Sequence, residues 1–142
     1  MQFPVFFRME LYRVLIMGIG DMENQKKILI IDDNRTILKA MERLLTGEGY
    51  VVFATDNWRA AIRLATDEQP DLVISDVDMP EMDGGEVAAK LKESPKTAHI
   101  KVIFFTTLVT QNDSDTGGNG KNVYLSKMTE HSQLVAEIQK YL

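Results

Sequence analysis

Four apolar runs in the chain each end on residues that can do chemistry. Asp32 and Asp33 follow Ile28-Leu29-Ile30-Ile31, Asp76 follows Leu72-Val73-Ile74-Ser75, Thr106 follows Val102-Ile103-Phe104-Phe105, and Lys127 follows Val123-Tyr124-Leu125-Ser126. Brought side by side, three carboxylates repel, by roughly 4 kcal/mol for two charges about 4 Å apart at an effective dielectric near 20. A hard dication with oxygen ligands offsets this, and Mg²⁺ (or Mn²⁺) suits a site with few protein ligands, several waters and an incoming phosphate. A carboxylate can then act as nucleophile toward a phosphoryl group and form an acyl phosphate, while the ion shields the anionic donor. On this reading Asp76 accepts the group and Asp32, Asp33 and Asp76 face the cation. Lys127 offers a positive charge to one phosphoryl oxygen and Thr106 a hydroxyl to another. Singly these residues say little, since an Asp pair after a strand is often a helix cap. The signal is their joint occurrence, each at the end of a strand.

The elements that position them alternate in type. Continuous apolar runs such as Ile28–Ile31 mark strands buried on both faces. Further strands are expected at Tyr50–Ala54, Asp71–Ser75, Lys101–Phe105 and Val123–Leu125. Between them, Ile37, Leu38, Met41, Leu44 and Leu45 recur at helical spacing behind an Asn34 cap and stop at Gly47 and Gly49. Asp56 or Asn57 caps a second helix with Trp58, Ala61, Ile62 and Ala65 inward, closed by Pro70. A third carries Val87, Ala88 and Leu91 until Ser94-Pro95, and a last one runs from about Glu130 to Leu142. Repeated strand–helix units imply parallel strands with right-handed crossovers, so the fold class is α/β, a doubly wound five-stranded parallel sheet with helices on both faces. Functional groups then gather at the carboxyl ends of the strands.

Composition narrows the classes of function. The 142 residues suit one compact domain, and 16 Lys and Arg against 21 Asp and Glu leave a charge of −5. That balance argues against nucleic-acid binding, which needs a basic surface. The chain has no cysteine, which excludes disulfides and thiolate chemistry and permits a cytoplasmic address. His99 and His131 stand far apart and read as surface residues. Residues 1–25 form an N-terminal extension before the domain at 26–142, with Met22 resembling a conventional start. Arg8, Glu10 and Arg13 interrupt its apolar stretch, so it does not read as a membrane span, and it lacks the small-residue cleavage site of a secretory signal.

The motifs IIDD at Ile30–Asp33, ISDVDMPEMDG at Ile74–Gly84, FFTT at Phe104–Thr107 and YLSK at Tyr124–Lys127 together resemble the receiver domain of bacterial two-component response regulators. The resemblance spans about Lys27 to Leu142 and implies a flavodoxin-like sheet of order 2-1-3-4-5. It implies that Asp76 is the phosphoacceptor, Asp33 a direct ligand of Mg²⁺, Asp32 a ligand through water, and Asp78 a ligand through its main-chain carbonyl. It assigns Thr106 and Lys127 to the phosphoryl group, Thr106 and Tyr124 to the switch, and Pro80, Asp83 and Gly84 to the shape of the acceptor loop. A sensor histidine kinase or histidine phosphotransfer protein is the implied donor. The chain ends soon after Lys127, so output is expected through contact with a protein target, from a monomer or weak dimer.

Three departures from the family stand out. Met128 follows the lysine where proline in a cis peptide is usual, and a trans bond is expected there because cis costs roughly 2.5–4 kcal/mol without proline. Residues Thr110 to Asn122 (TQNDSDTGGNGKN) disfavour the family's fourth helix, which is expected to be short or disordered, and only faintly resemble a phosphate loop. Asp78 places a further carboxylate two residues after the acceptor, which should alter the lifetime of the phosphoryl group. Two other readings fit the same residues. One is a receiver-like binding module that is never phosphorylated. The other is a haloacid-dehalogenase-type phosphatase using Asp76 and Asp78.

Overall fold

The computed structural model describes residues 25–107 and 122–142. Its strands are β1 (Lys27–Ile31), β2 (Val51–Thr55), β3 (Leu72–Asp76), β4 (Lys101–Thr106) and β5 (Val123–Ser126). The helices among the described residues are α1 (Arg35–Gly47), α2 (Trp58–Glu68), α3 (Gly84–Glu93) and α4 (His131–Gln139). The strands form one sheet of order β2-β1-β3-β4-β5, and every neighbouring pair is parallel. The chain winds outward from β1 to β2, then returns across β1 to β3. The direction of winding therefore reverses between β1 and β3, and a crevice opens beyond their carboxyl ends.

Side-chain alternation along β1 divides the core in two. Ile28 and Ile30 join Leu38, Met41 and Leu45 of α1 and Leu134 and Ile138 of α4. Leu29 and Ile31 face the other way, onto Ala61 and Ala65 of α2 and Val87 and Leu91 of α3. These four β1 side chains are essentially solvent-free. Each such burial stabilises the fold by about 1.5–3 kcal/mol, so the strand that carries the Asp pair is anchored from both sides.

The helix starts are set by side chains the sequence marks. Asn34 Oδ1 accepts from the main-chain N–H groups of Thr36 and Ile37, and Asn57 Oδ1 accepts from Ala60. Asp83 caps α3 by accepting from Glu86 at 2.8 Å.

Several boundaries differ from those expected. Both β3 and β4 run one residue further, so Asp76 and Thr106 are the last residues of their strands and pair in the sheet rather than beginning loops. β2 is shifted to Val51–Thr55. The α2 helix ends through Gln69 in the left-handed region, φ 50°, before Pro70 is reached. Its amide side chain compensates by donating to the carbonyls of Ala65, Thr66 and Lys96. The α4 helix stops at Gln139, three residues short of the expected end, with Tyr141 and Leu142 packed half-buried against the core. Trp58 is half-buried at the start of α2 and packs against the same core cluster as Ala61 and Ala65, as its spacing implies. The Lys127–Met128 bond is trans, as expected without proline. The segment Thr110 to Asn122, where a short or disordered fourth helix is expected, lies largely outside the described residues, as does most of the N-terminal extension.

Candidate phosphoacceptor and metal site

Asp32 follows β1 directly, and its main-chain N–H donates to Thr55 O across the sheet edge at 3.2 Å. Its carboxylate is 1% exposed. Oδ1 accepts from the Asn34 N–H at 2.9 Å, so the residue that caps α1 also fixes the buried acid. Asp33 is exposed at the mouth of the crevice. Asp76 ends β3 at 4% exposure. Carboxylate oxygens of Asp32, Asp33 and Asp76 lie within 4.8 Å of one another. The Asp78 carboxylate is outside that group, although the Asp78 N–H approaches Asp76 Oδ1 at 3.4 Å.

Lys127 closes the site from β5. Its main-chain N–H donates to Thr106 O at 2.9 Å, which ties the two strand ends together. Its Nζ stands 2.7 Å from Asp32 Oδ2 and 3.0 Å from Asp76 Oδ1. The contact to Asp32 is a charge contact without hydrogen-bond alignment, so Asp32 Oδ2 is sealed from solvent with no directed donor. Burial, the largest influence, pushes the Asp76 carboxyl up to about 6, against the pull of Lys127 and with help from the Asp32 charge and the Asp33 hydrogen bond. For Lys127 burial opposes the charge, yet the nearby carboxylates of Asp32 and Asp76 outweigh that and hold the ammonium above its ordinary range.

An ammonium spanning two acids leaves a third carboxylate unmatched and one buried oxygen without a donor. Hard, anionic oxygen donors so placed fit a divalent cation of the Mg²⁺ type. Asp32, Asp33 and Asp76 are the side chains that would hold it.

Thr106 is buried at 3%, one residue beyond Phe105, the register partner of Asp76. Tyr124 is half-buried and lies against Phe104, ring centroids 5.2 Å apart. Phe104 also faces the start of α3, where Gly84 is pressed against the acceptor. A Cβ on Gly84 would collide with the main-chain oxygen of Asp76 and come within 3.2 Å of the Phe104 ring. The sequence marks Gly84 only as a loop residue; the close approach to Asp76 needs the packed fold to be seen. A groove of about 270 Å³ beside Asp33, lined also by Trp58, Met79 and Met82, likewise has no signature in the motifs.

The sequence-predicted residues Asp32, Asp33, Asp76 and Lys127 are thus brought into one cluster, with Thr106 beside it and Tyr124 one layer away.

Comparison with known proteins agrees with this geometry. The response regulator receiver domain family model matches residues 28–139. The polar-differentiation response regulator DivK of Brucella anthropi is 31% identical over 118 residues, covering 82% of this chain and 96% of DivK. The response regulator PleD of Caulobacter vibrioides is 34% identical over 114 residues, 80% of this chain but only 25% of PleD. Among solved structures, the chemotaxis protein CheY4 of Vibrio cholerae superimposes with a TM-score of 0.72 at 26% identity, covering 83% of this chain and 99% of CheY4. The signal receiver domain of a histidine kinase from Syntrophus aciditrophicus gives 0.67 at 31% identity, covering 82% and 89%. The chain belongs to the response regulator receiver domain family, and is a two-component signalling domain, not a classical enzyme.

Proposed function

We propose that Asp76 is the residue that accepts the phosphoryl group, with Asp32, Asp33 and the main-chain carbonyl of Asp78 as its partners in holding Mg²⁺ or Mn²⁺. The observation that carries this is the carboxylate cluster beyond β1 and β3, spanned by a single ammonium from β5. Family membership supports the cation, since receiver domains use Mg²⁺ at an acidic pocket. When bound, the cation supplies charge neutralisation for the transferring oxygens.

The chain's own residues account for the rest of the reaction. A carboxylate oxygen of Asp76 attacks phosphorus, the bond from phosphorus to the donor's imidazole nitrogen breaks, and the electron pair leaves with the imidazole. Ionised Asp76 is the nucleophilic form, so the rise of its pKa to about 6 still leaves it mostly charged at neutral pH. Lys127 transfers its ion pair from Asp76 to an oxygen of the new phosphoryl group and stays tethered to Asp32. The Thr106 hydroxyl donates to another oxygen, and the displacement of Thr106 frees room for Tyr124 to turn inward past Phe104.

The donor is a sensor histidine kinase or a histidine phosphotransfer protein, and the target is a protein reached by contact, from a monomer or weak dimer. No described helix is long and apolar enough to cross a membrane. A cytoplasmic address and a domain spanning 26–142 complete the reading.

Intact mass after incubation with acetyl phosphate and Mg²⁺ tests it. One phosphoryl group per chain, absent with chelator and in Asp76→Asn, is the expected result. Continuous release of phosphate would indicate a phosphatase, and a folded protein that binds Mg²⁺ but gains no mass would indicate a binding module.

A further inference from the structure

Where α2 meets α3, three basic side chains gather around Trp58. A shallow depression there is lined by Trp58, Arg59, Ile62, Arg63 and Lys90, with no carboxylate among them. The Arg59 guanidinium lies 4.4 Å from the Trp58 ring centroid, and the Lys90 ammonium lies 5.7 Å from it. Among the described residues none of Arg59, Arg63 and Lys90 forms an ion pair. Two of the three cations thus lie over an aromatic ring and not beside an acid, and both are exposed to solvent. In a chain of net charge −5, such a concentration of unpaired positive charge around an apolar floor is locally out of character.

We infer that this α2–α3 face docks a short acidic segment of a partner protein, an aliphatic side chain resting on Trp58 and Ile62 and carboxylates meeting Arg59, Arg63 and Lys90. Guanidinium groups match carboxylates with two parallel hydrogen bonds, and an apolar floor between them selects an amphipathic acidic peptide over a simple anion. The chain's overall negative charge disfavours a long polyanion or an anionic bilayer, which would face repulsion beyond the patch. The proposal does not depend on phosphorylation of Asp76.

Trp58 is the one tryptophan of the chain, so its emission reports directly on the patch. The full chain in chelator is titrated with a short blocked Glu/Leu peptide, and in parallel with a Lys/Leu peptide, phosphatidylserine-containing vesicles and a single-stranded oligonucleotide. Saturable change with the acidic peptide alone, weakened by salt, is expected. The double substitution Arg63→Glu with Lys90→Glu, checked for folding by circular dichroism, should weaken it by about tenfold or more. No response to the acidic peptide overturns the proposal, as does an equal response to the basic peptide or an unchanged response in the double variant. Binding to vesicles or oligonucleotide instead would assign the patch to those ligands. A signal that follows protein concentration, with dimers in sedimentation, would assign it to a second copy.

Discussion

Replacing the acceptor by its neutral isostere, Asp76→Asn, should make the metal-free protein more stable at neutral pH. In the fold the Asp76 carboxyl titrates near 6 against 3.8 for an ordinary aspartate, a rise of about two pH units caused first by burial. At about 1.36 kcal/mol per unit, ionising Asp76 opposes folding by up to about 3 kcal/mol. The sign follows from proton binding. Between about pH 4 and pH 6 the native state holds a proton that the unfolded chain has released, so stability falls as pH rises through that window and stays lowered above it. Asparagine carries no charge and escapes this penalty. With chelator present, urea unfolding at about pH 7.5 should show Asp76→Asn more stable by about 1–3 kcal/mol, and the gain should vanish below about pH 4. Saturating Mg²⁺ should close much of the gap, because a cation held by the carboxylates stabilises the wild-type fold by mass action. A variant less stable than wild type at neutral pH in chelator, or a difference that does not change with pH, would refute the reasoning.

Other substitutions probe neighbouring parts of the site. Lys127→Gln strands the buried Asp32 and Asp76 carboxylates and should cost on the order of 3 kcal/mol in urea unfolding with chelator, with Mg²⁺ restoring part of the loss. Gly84→Ala drives a Cβ into the Asp76 main-chain oxygen, so a loss of about 1–3 kcal/mol is expected, together with slower uptake of phosphoryl from acetyl phosphate. Unchanged stability there would mean that the start of α3 yields freely. Asp78→Asn, at an exposed position beside the acceptor, should leave urea unfolding within about 0.5 kcal/mol of wild type while changing the rate of phosphoryl loss. An unaltered lifetime removes its side chain from the chemistry.

How much of this could be read from the sequence depends on the kind of signal involved. Strands buried on both faces appear as unbroken apolar runs, so β1, β3 and β4 were legible to within a residue, and the Asn34 cap declared α1. The acidic cluster was legible because each member ends such a run, and parallel topology brings strand ends together. What stayed hidden were contacts between residues distant in the chain. Nothing local to Lys127 says that its ammonium pairs with Asp32 more closely than with Asp76. Nothing around Gly84 discloses that its backbone touches the acceptor, and Gln69 ended α2 although Pro70 looked the stronger breaker. Trp58 packs against the core as its spacing with Ala61 implies, but the contacts of its ring with Arg59 from its own helix and Lys90 from α3 have no local signal.

The most direct test of Asp76 as the acceptor is chemical trapping at the residue itself. The protein is treated with acetyl phosphate and Mg²⁺, reduced with borohydride, digested and mapped by mass spectrometry, since an aspartyl phosphate is reduced to homoserine while a free carboxylate is not. Homoserine at position 76, and at no other aspartate, is the predicted result. Homoserine at Asp32, Asp33 or Asp78 in its place, or at no position in a protein that has gained a phosphoryl group, would contradict it.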